Sequence, residues 1–339
     1  MLDLNQIWFI LLIVLLTGYA ILDGFDLGVG IIYPLIGDDI HKRILLNSIG
    51  PVWDGNEVWL VTLGGALFAA FPHVYATALS GLYTPFMLLL MALILRATSI
   101  EFRSKQKHVI WRNFWDMAFF LGSSLASFLF GVCIGNLLEG MPIHSDMELR
   151  ISFLALLKPY PIMCGLFTLS ACAMHGTIYL LFKTKDKLKK QIDRFTWHTF
   201  GLFLCFYLMV TIFTLINIPT AIINLKVMPI AWVVIFINII ALVNIPRSLF
   251  LKNYLESFLS SSLTFMALAA LFGLAMYPNL ITSSIDPAYN LTIYNCASSA
   301  KTLNIMLIIA IVGMPCVLAY TTIIYYVFRG KVELDSTSY

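Results

Sequence analysis

Charge is scarce in this sequence. Only 12% of its 339 residues are Asp, Glu, Lys or Arg, while 60% are hydrophobic. A soluble domain carries about 25% charged residues, so the composition excludes a water-soluble enzyme and a disordered chain. A net charge of +3 is no footprint for nucleic acid. Ligand motifs are missing too. The six cysteines (133, 164, 172, 205, 296 and 316) form no C-x-x-C pair, and no C-x-x-C-H is present for attached haem. The six histidines (41, 73, 108, 144, 175 and 198) are scattered, with no pair at ligand spacing on one helix. His175 alone lies well inside an apolar run, where a hydrogen-bonded core role is the commoner one. No nucleotide-binding glycine motif stands after a strand; "GFDLGVG" sits within an apolar helix and reads as packing. What these absences leave is an all-α polytopic membrane protein.

A helix needs about 20 apolar residues to cross a ~30 Å hydrocarbon core. Nine stretches qualify: 7–35, 52–71, 76–100, 114–137, 154–182, 197–217, 229–246, 258–277 and 303–328. The apolar runs are continuous and do not alternate, which excludes a β-barrel. The first stretch lacks a basic flank and carries Asp3, so it reads as a retained helix and not a cleaved signal. Lys and Arg cluster after every odd span: Lys42 and Arg43; Arg103, Lys105, Lys107 and Arg112; the run 183–194; Arg247 and Lys252; Arg329 and Lys331. The other side holds Arg150, Lys158, Lys226 and Lys301. By the positive-inside rule the N-terminus is expected outside and the C-terminus in the cytoplasm. The run 183–194 is expected to be a cytoplasmic loop over anionic lipid. Trp8, Trp53, Trp111, Trp115, Trp197 and Trp232 lie near span ends, as interfacial anchors do. Gly24 and Gly28, like Gly131 and Gly135, are spaced four apart for close helix contact. A faint likeness between the fourth and eighth spans suggests a four-helix unit repeated in parallel, plus a ninth helix.

Ionisable residues inside the spans are the informative ones. Asp23 lies about 24 Å along the first span, with Asp26 one turn on. Asp54 and Glu57 open the second span, Arg96 lies near the end of the third, and Asp116 opens the fourth. All fall at one level, on the basic side. A charge at the bilayer centre costs about 2.5–3.5 kcal/mol, so these groups are expected to face inward or lie at the interface. Two readings stand. In one, which suits Asp26, Arg96 and Asp116, Arg96 is a buried counter-ion for one or two Asp and clamps the bundle, while Asp54 and Asp116 are acids near helix N-termini, where the dipole favours them. In the other, a hydrated route takes up protons or cations from the cytoplasm, and Asp54 and Asp23 suit it because neither has an evident partner nearby in sequence. Spans five to nine hold almost no acid; His175 and Asn244 are their main buried polar groups.

At these residues the chain resembles subunit II of the cytochrome bd quinol oxidases. The matching stretches are "DGFDLGVG" (23–30), "NSIGPVWDGNEVWLVTLGGALFAAFPHVYA" (47–76), "RSKQKHVIWRNFWD" (103–116), "GVCIGNLLEGMP" (131–142) and "SSAKTLNIMLIIAIVGMPCVLAYTTIIYYVFRGKV" (298–332). The likeness runs end to end and thins over 150–290. It implies two four-helix transmembrane bundles (1–140 and 141–290) and a peripheral ninth helix with a cytoplasmic tail (291–339). It also implies a partner, the larger subunit I, which carries haem b558, haem b595 and haem d and oxidises quinol while O2 is reduced to water. A small single-helix subunit, lipid and a structural quinone are further expected partners. The family's proton-uptake carboxylate beside a tryptophan maps onto Trp53 and Asp54, with Asp23 and Glu57 in the same path. Its buried polar group maps onto Asp26, Arg96 and Asp116. The rival function class is a proton-coupled secondary transporter, for which Pro85 and Pro315 would break helices; a third is a purely structural membrane partner.

Overall fold

The computed structural model describes residues 3–334; the end of the expected cytoplasmic tail, 335–339, lies outside the described residues. The helices are α1 (Leu4–Ile32), α2 (Asp39–Ile49), α3 (Trp53–Ala70), α4 (Pro72–Gly81), α5 (Tyr83–Phe102), α6 (Val109–Glu139), α7 (Pro159–Lys183), α8 (Asp186–Asn217), α9 (Pro219–Val227), α10 (Pro229–Phe250), α11 (Tyr254–Met276) and α12 (Ala300–Val327). Helices dominate because hydrocarbon offers no hydrogen-bond partner, so each spanning segment must satisfy its own backbone. Eight are long and apolar enough to span, and α3 with α4 makes a ninth candidate, bent by 119°. The expected all-α polytopic class is the one observed.

Several boundaries differ from the expected spans. The stretch 76–100 is not one helix: it breaks at Leu82, and α4 turns away from α3 at Phe71–Pro72. Proline starts α4 at a position where its missing N–H costs nothing. Pro85 falls in the first turn of α5 and Pro315 within an uninterrupted α12, so neither breaks a helix. The run 183–194 is not a loop, since α8 begins at Asp186 and carries most of it. Lys and Arg are good helix formers once their charges reach water. Likewise α6 starts at Val109, which places Asp116 two turns inside it. The N-terminus of α1 is closed by a capping box between Asp3 and Gln6.

Two poles result. At one, α2 lies across the helix ends and buries Leu45, Leu46 and Ile49 beside Phe25, Tyr33, Met174 and Tyr179. At the other, the turn at Phe71, the segment around Met141 and the short hairpin of β1 (Asn279–Ile281) and β2 (Leu291–Thr292) pack with Trp8 and Leu303. Trp8 is therefore no interfacial anchor: it is buried and donates from its indole Nε1 to the Leu303 carbonyl at 3.1 Å. Clusters expected after the odd spans share the first pole, as shown by Lys42, Arg103 and Arg112 in one ion-pair network.

Helix α1 is central and packs on α3, α6, α7 and α11. With no water to drive them together, membrane helices associate by close packing. A Cβ on Gly28 would lie 1.9 Å from the Cys172 carbonyl oxygen, and one on Gly176 would lie 2.5 Å from the Gly28 carbonyl carbon. The α1 and α7 backbones thus touch at this crossing. Gly24, the other half of the expected pair, leaves ordinary room: a Cβ there meets Phe265 at 3.7 Å. Gly28→Ala is expected to lower the yield of intact membrane-inserted protein several-fold, since overpacking costs about 1–3 kcal/mol or more against backbone. Gly24→Ala is expected to leave it unchanged; yield and thermal midpoint in detergent check both.

Candidate functional site

The site begins with a charge that cannot reach water. Asp23 on α1 and Arg96 on α5 are each fully buried. The guanidinium grips the carboxylate with both arms, Nη1 donating to Oδ2 at 2.7 Å and Nη2 to Oδ1 at 2.5 Å. A two-armed pair suits arginine's planar fork. Helix α6 closes over it at Gly122, where a Cβ would lie 2.5 Å from the Ala92 carbonyl oxygen and 2.9 Å from the Arg96 nitrogen. The arginine therefore does not pair with Asp26 or Asp116 as the sequence reading grouped them. Its partner is Asp23, 73 residues away and so with no evident partner nearby in sequence.

Around this pair stand the other acids. Glu57 on α3 reaches within 3.8 Å of Arg96 Nη2, and its side chain keeps 20% of its surface exposed. Asp54, one turn before Glu57, is exposed and has no ion pair or hydrogen bond among the described residues. Trp53 beside it is half-buried against the core at the same pole. Asp26, one turn beyond Asp23 and fully buried, accepts from Asn56 Nδ2 at 2.7 Å through Oδ2, while its Oδ1 has no partner. Asn56 also donates to the Leu22 carbonyl at 3.1 Å, and its Oδ1 accepts from the Tyr325 hydroxyl at 2.9 Å. The Tyr19 hydroxyl and Arg96 Nε are further buried polar atoms without partners. Such orphaned groups in one polar pocket are the usual lodging of ordered water.

Asn56 and Tyr325 were missed by reading the sequence. The tyrosine is 269 residues from its partner, and nothing local marks it. Asn56 carried a signal, lying in the polar run between Asp54 and Glu57.

Asp116 belongs to a separate network. It accepts from Arg103 Nε at 2.5 Å and from Lys42 Nζ at 2.8 Å. Arg103 also reaches Asp39 at 2.8 Å, and Arg112 holds the other Asp39 oxygen at 2.8 Å. Burial disfavours the Asp39 charge, but its hydrogen bond to Arg103 and the charges of Arg103, Arg112 and Arg43 outweigh that and hold the carboxyl below its usual range. This network ties α2, α5 and α6 together at the basic pole.

Beside the acids opens a cavity of about 850 Å³ between α1, α3, α4, α5 and α6. Leucines from all these helices line it, and Glu57 is a rare charge on its wall. In the far half, His175 is fully buried, with Nδ1 2.8 Å from Ser261 Oγ and Nε2 3.1 Å from the Ile21 carbonyl. Both ring nitrogens are engaged within the helix packing. No group of three or more His, Cys, Asp or Glu stands at metal-binding spacing among the described residues.

Comparison with known proteins decides the family. The model of the family described as cytochrome bd terminal oxidase subunit II matches residues 4–328. The chain belongs to that family. It is 34% identical to cytochrome bd-I ubiquinol oxidase subunit 2 of Escherichia coli (strain K12), over 98% of this chain and 96% of that protein. It is 34% identical to cytochrome bd ubiquinol oxidase subunit 2 of Bacillus subtilis (strain 168), with 98% of each covered. Its fold matches a chain of the bd oxidase from Geobacillus thermodenitrificans with a TM-score of 0.79 and 18% identity, over 96% of this chain and 99% of that one. Subunit II of a bd oxidase is a multi-span protein of the bacterial inner membrane, one subunit of a haem-containing terminal oxidase in which it works with subunit I. The rival transporter reading is not favoured by these findings.

The buried pair yields a direct expectation. Arg96→Leu leaves the Asp23 carboxyl buried without its partner, a loss of about 3–5 kcal/mol for a broken buried pair. The variant is expected to lose assembly of the oxidase, read as the yield of haem-loaded complex. Asp23→Asn combined with Arg96→Leu should recover part of that yield. A full yield from Arg96→Leu alone would remove the pair from the architecture.

Proposed function

We propose that this subunit II carries protons from the cytoplasm toward the oxygen-reducing haem of subunit I and holds that subunit's fold. One observation carries the reading: a ladder of acids runs from exposed Asp54, through part-exposed Glu57, to buried Asp23 and Asp26. Two of them, Asp23 and Glu57, reach a single guanidinium. Three acids, Glu57, Asp23 and Asp26, thus stand with one base, Arg96, in an apolar interior. Arg96 holds Asp23 in place with both arms. Asn56, steadied by Tyr325, fixes one oxygen of Asp26 and leaves the other open to water. Asp54 lies on the uncovered face of α3 with Val58, Val61 and Phe68, which are 50%, 69% and 58% exposed. On this reading that face meets subunit I, and a proton leaving Asp54 or Glu57 passes directly to the partner. Trp53 screens the start of the path on the side of α2.

The haems of the complex, on this reading haem b558, haem b595 and haem d held by subunit I, supply the electron transfer and the reduction of O2 with electrons from quinol. Each O2 reduced to two waters consumes four protons. Taking them from the cytoplasm, while quinol releases protons outside, builds a potential without a pump. This requires the basic pole to be cytoplasmic and the N-terminus outside, an orientation that the Lys and Arg asymmetry supports. The division into 1–140, 141–290 and 291–339 follows roles: the first part supplies the acids, the second backs α1 through α7 and α11, and the third fixes Asn56 through Tyr325. The cavity of about 850 Å³ lies within the usual range of ligand pockets and is where a structural quinone would fit with its tail among the leucines. A small single-helix subunit would find room on the exposed faces of the peripheral helices.

The decisive test is Asp54→Asn in the assembled oxidase. Oxygen consumption is expected to fall by about tenfold or more, the scale of a lost proton-transfer group, while haem absorption bands and assembly stay normal. Unchanged turnover with intact bands would remove Asp54 from the path. For the cavity, Ala78→Trp is expected to lower the quinone extracted per purified complex; equal quinone in variant and wild type would place that ligand elsewhere.

A further inference from the structure

The basic pole carries a second cluster, unused by proton uptake. The end of α7, the start of α8, the link between α10 and α11 and the segment after α12 meet there. The last segment is docked by Val332 N–H on the Lys183 carbonyl at 3.0 Å, by Lys183 Nζ on the Phe328 carbonyl at 2.5 Å, and by Lys185 with Glu333 at 2.5 Å. This brings Lys331 beside α8. From α8, Lys189 lays its ammonium over the Tyr254 ring at 4.3 Å, and Lys252 lies two residues before that tyrosine. Lys331 and Lys252 are near enough for their charges to act on Lys189. Among the described residues none of the three lysines forms an ion pair; Asp193 is near enough to offset part of their charge at Lys189, and Glu333 is taken by Lys185.

Three like charges held together on three segments by fixed contacts call for an anion. The surroundings say which. Phe250 and Leu251, directly before Lys252, are 80% and 57% exposed, and Leu255 is 58% exposed. Cations above bare apolar side chains match a phosphate above acyl chains. The level matches too. Helix α8 has 32 residues, about 48 Å of rise, against a ~30 Å core flanked by headgroup layers. Its first turns therefore stand in the headgroup region, where lysines extend along the interface.

We propose that Lys189, Lys252 and Lys331, with Tyr254 beneath, form a binding site for the phosphate of an anionic phospholipid whose chains lie along Phe250, Leu251 and Leu255. The site joins the ends of α8, α11 and α12 through one lipid and stands independently of the proton reading.

The test uses the assembled oxidase in detergent, titrated with phosphatidylglycerol or with phosphatidylcholine and read by native mass spectrometry. Wild type is expected to retain phosphatidylglycerol preferentially. Replacing the three lysines together (Lys189→Gln, Lys252→Gln, Lys331→Gln) is expected to weaken that retention roughly tenfold or more, with Lys301→Gln at the opposite pole as an unaffected control. Equal retention of both lipids by wild type, or equal phosphatidylglycerol retention by the triple variant, overturns the proposal. Full displacement of the lipid by inorganic phosphate at constant ionic strength overturns it as well, since the site would then be one for a free anion. Should the triple variant lose its haem bands, the wild-type preference and its decline with added salt decide the matter.

Discussion

Asp23 and Arg96 set the geometry on which the rest of this subunit depends. A carboxylate and a guanidinium taken wholly out of water must satisfy each other, and a two-armed pair tolerates little displacement. Helices α1 and α5 are therefore locked in register, and α6 closes on α5 at Gly122 and on α1 at Gly30. Glu57 then falls within reach of the same guanidinium, and Asp26 one turn away is turned toward Asn56. The pair is thus both a clamp and the charge against which neighbouring acids are set. Structural and proton-carrying readings of Arg96 are one arrangement seen from two sides.

The buried ion pairs lie at one pole, and the opposite pole is built differently. There the turn at Phe71, the Met141 segment and the β1–β2 hairpin close the helix ends with apolar packing and backbone hydrogen bonds. At the acid-bearing pole the ends are closed by charge instead: Asp116 and Asp39 gather Lys42, Arg103 and Arg112 from three helices. Ion pairs suit that pole because it lies near water, where charged side chains keep part of their hydration. Helix α1 runs between the poles and bears both kinds of contact, its glycine crossing with α7 and its acids toward α3 and α5.

Much of the site was legible because the charges are so few. Asp23, Asp26, Asp54, Glu57, Arg96 and Asp116 stood out against an apolar background, and their common level followed from helix rise alone. Their pairing did not follow. Arg96 lies 73 residues from Asp23, and on a helix either Asp23 or Asp26 was a reasonable partner for it. Tyr325 was invisible, since a tyrosine near the end of an apolar helix has an ordinary place at an interface. The run 183–194 misled in the other direction: its polarity suggested a loop, but lysine-rich segments continue helices readily where they leave the membrane.

The sequence by itself determined the class, the number of apolar stretches, the asymmetry of basic residues and the family, because each is set by composition, period or local motif. The tertiary structure alone decided which acid Arg96 holds, how Asn56 is aimed, where α3 bends into α4, and that three distant lysines share one corner. Those outcomes depend on which helix faces meet. That is fixed by close packing at a few glycines and by buried charges seeking partners across the whole length of the chain, and no local stretch carries that information.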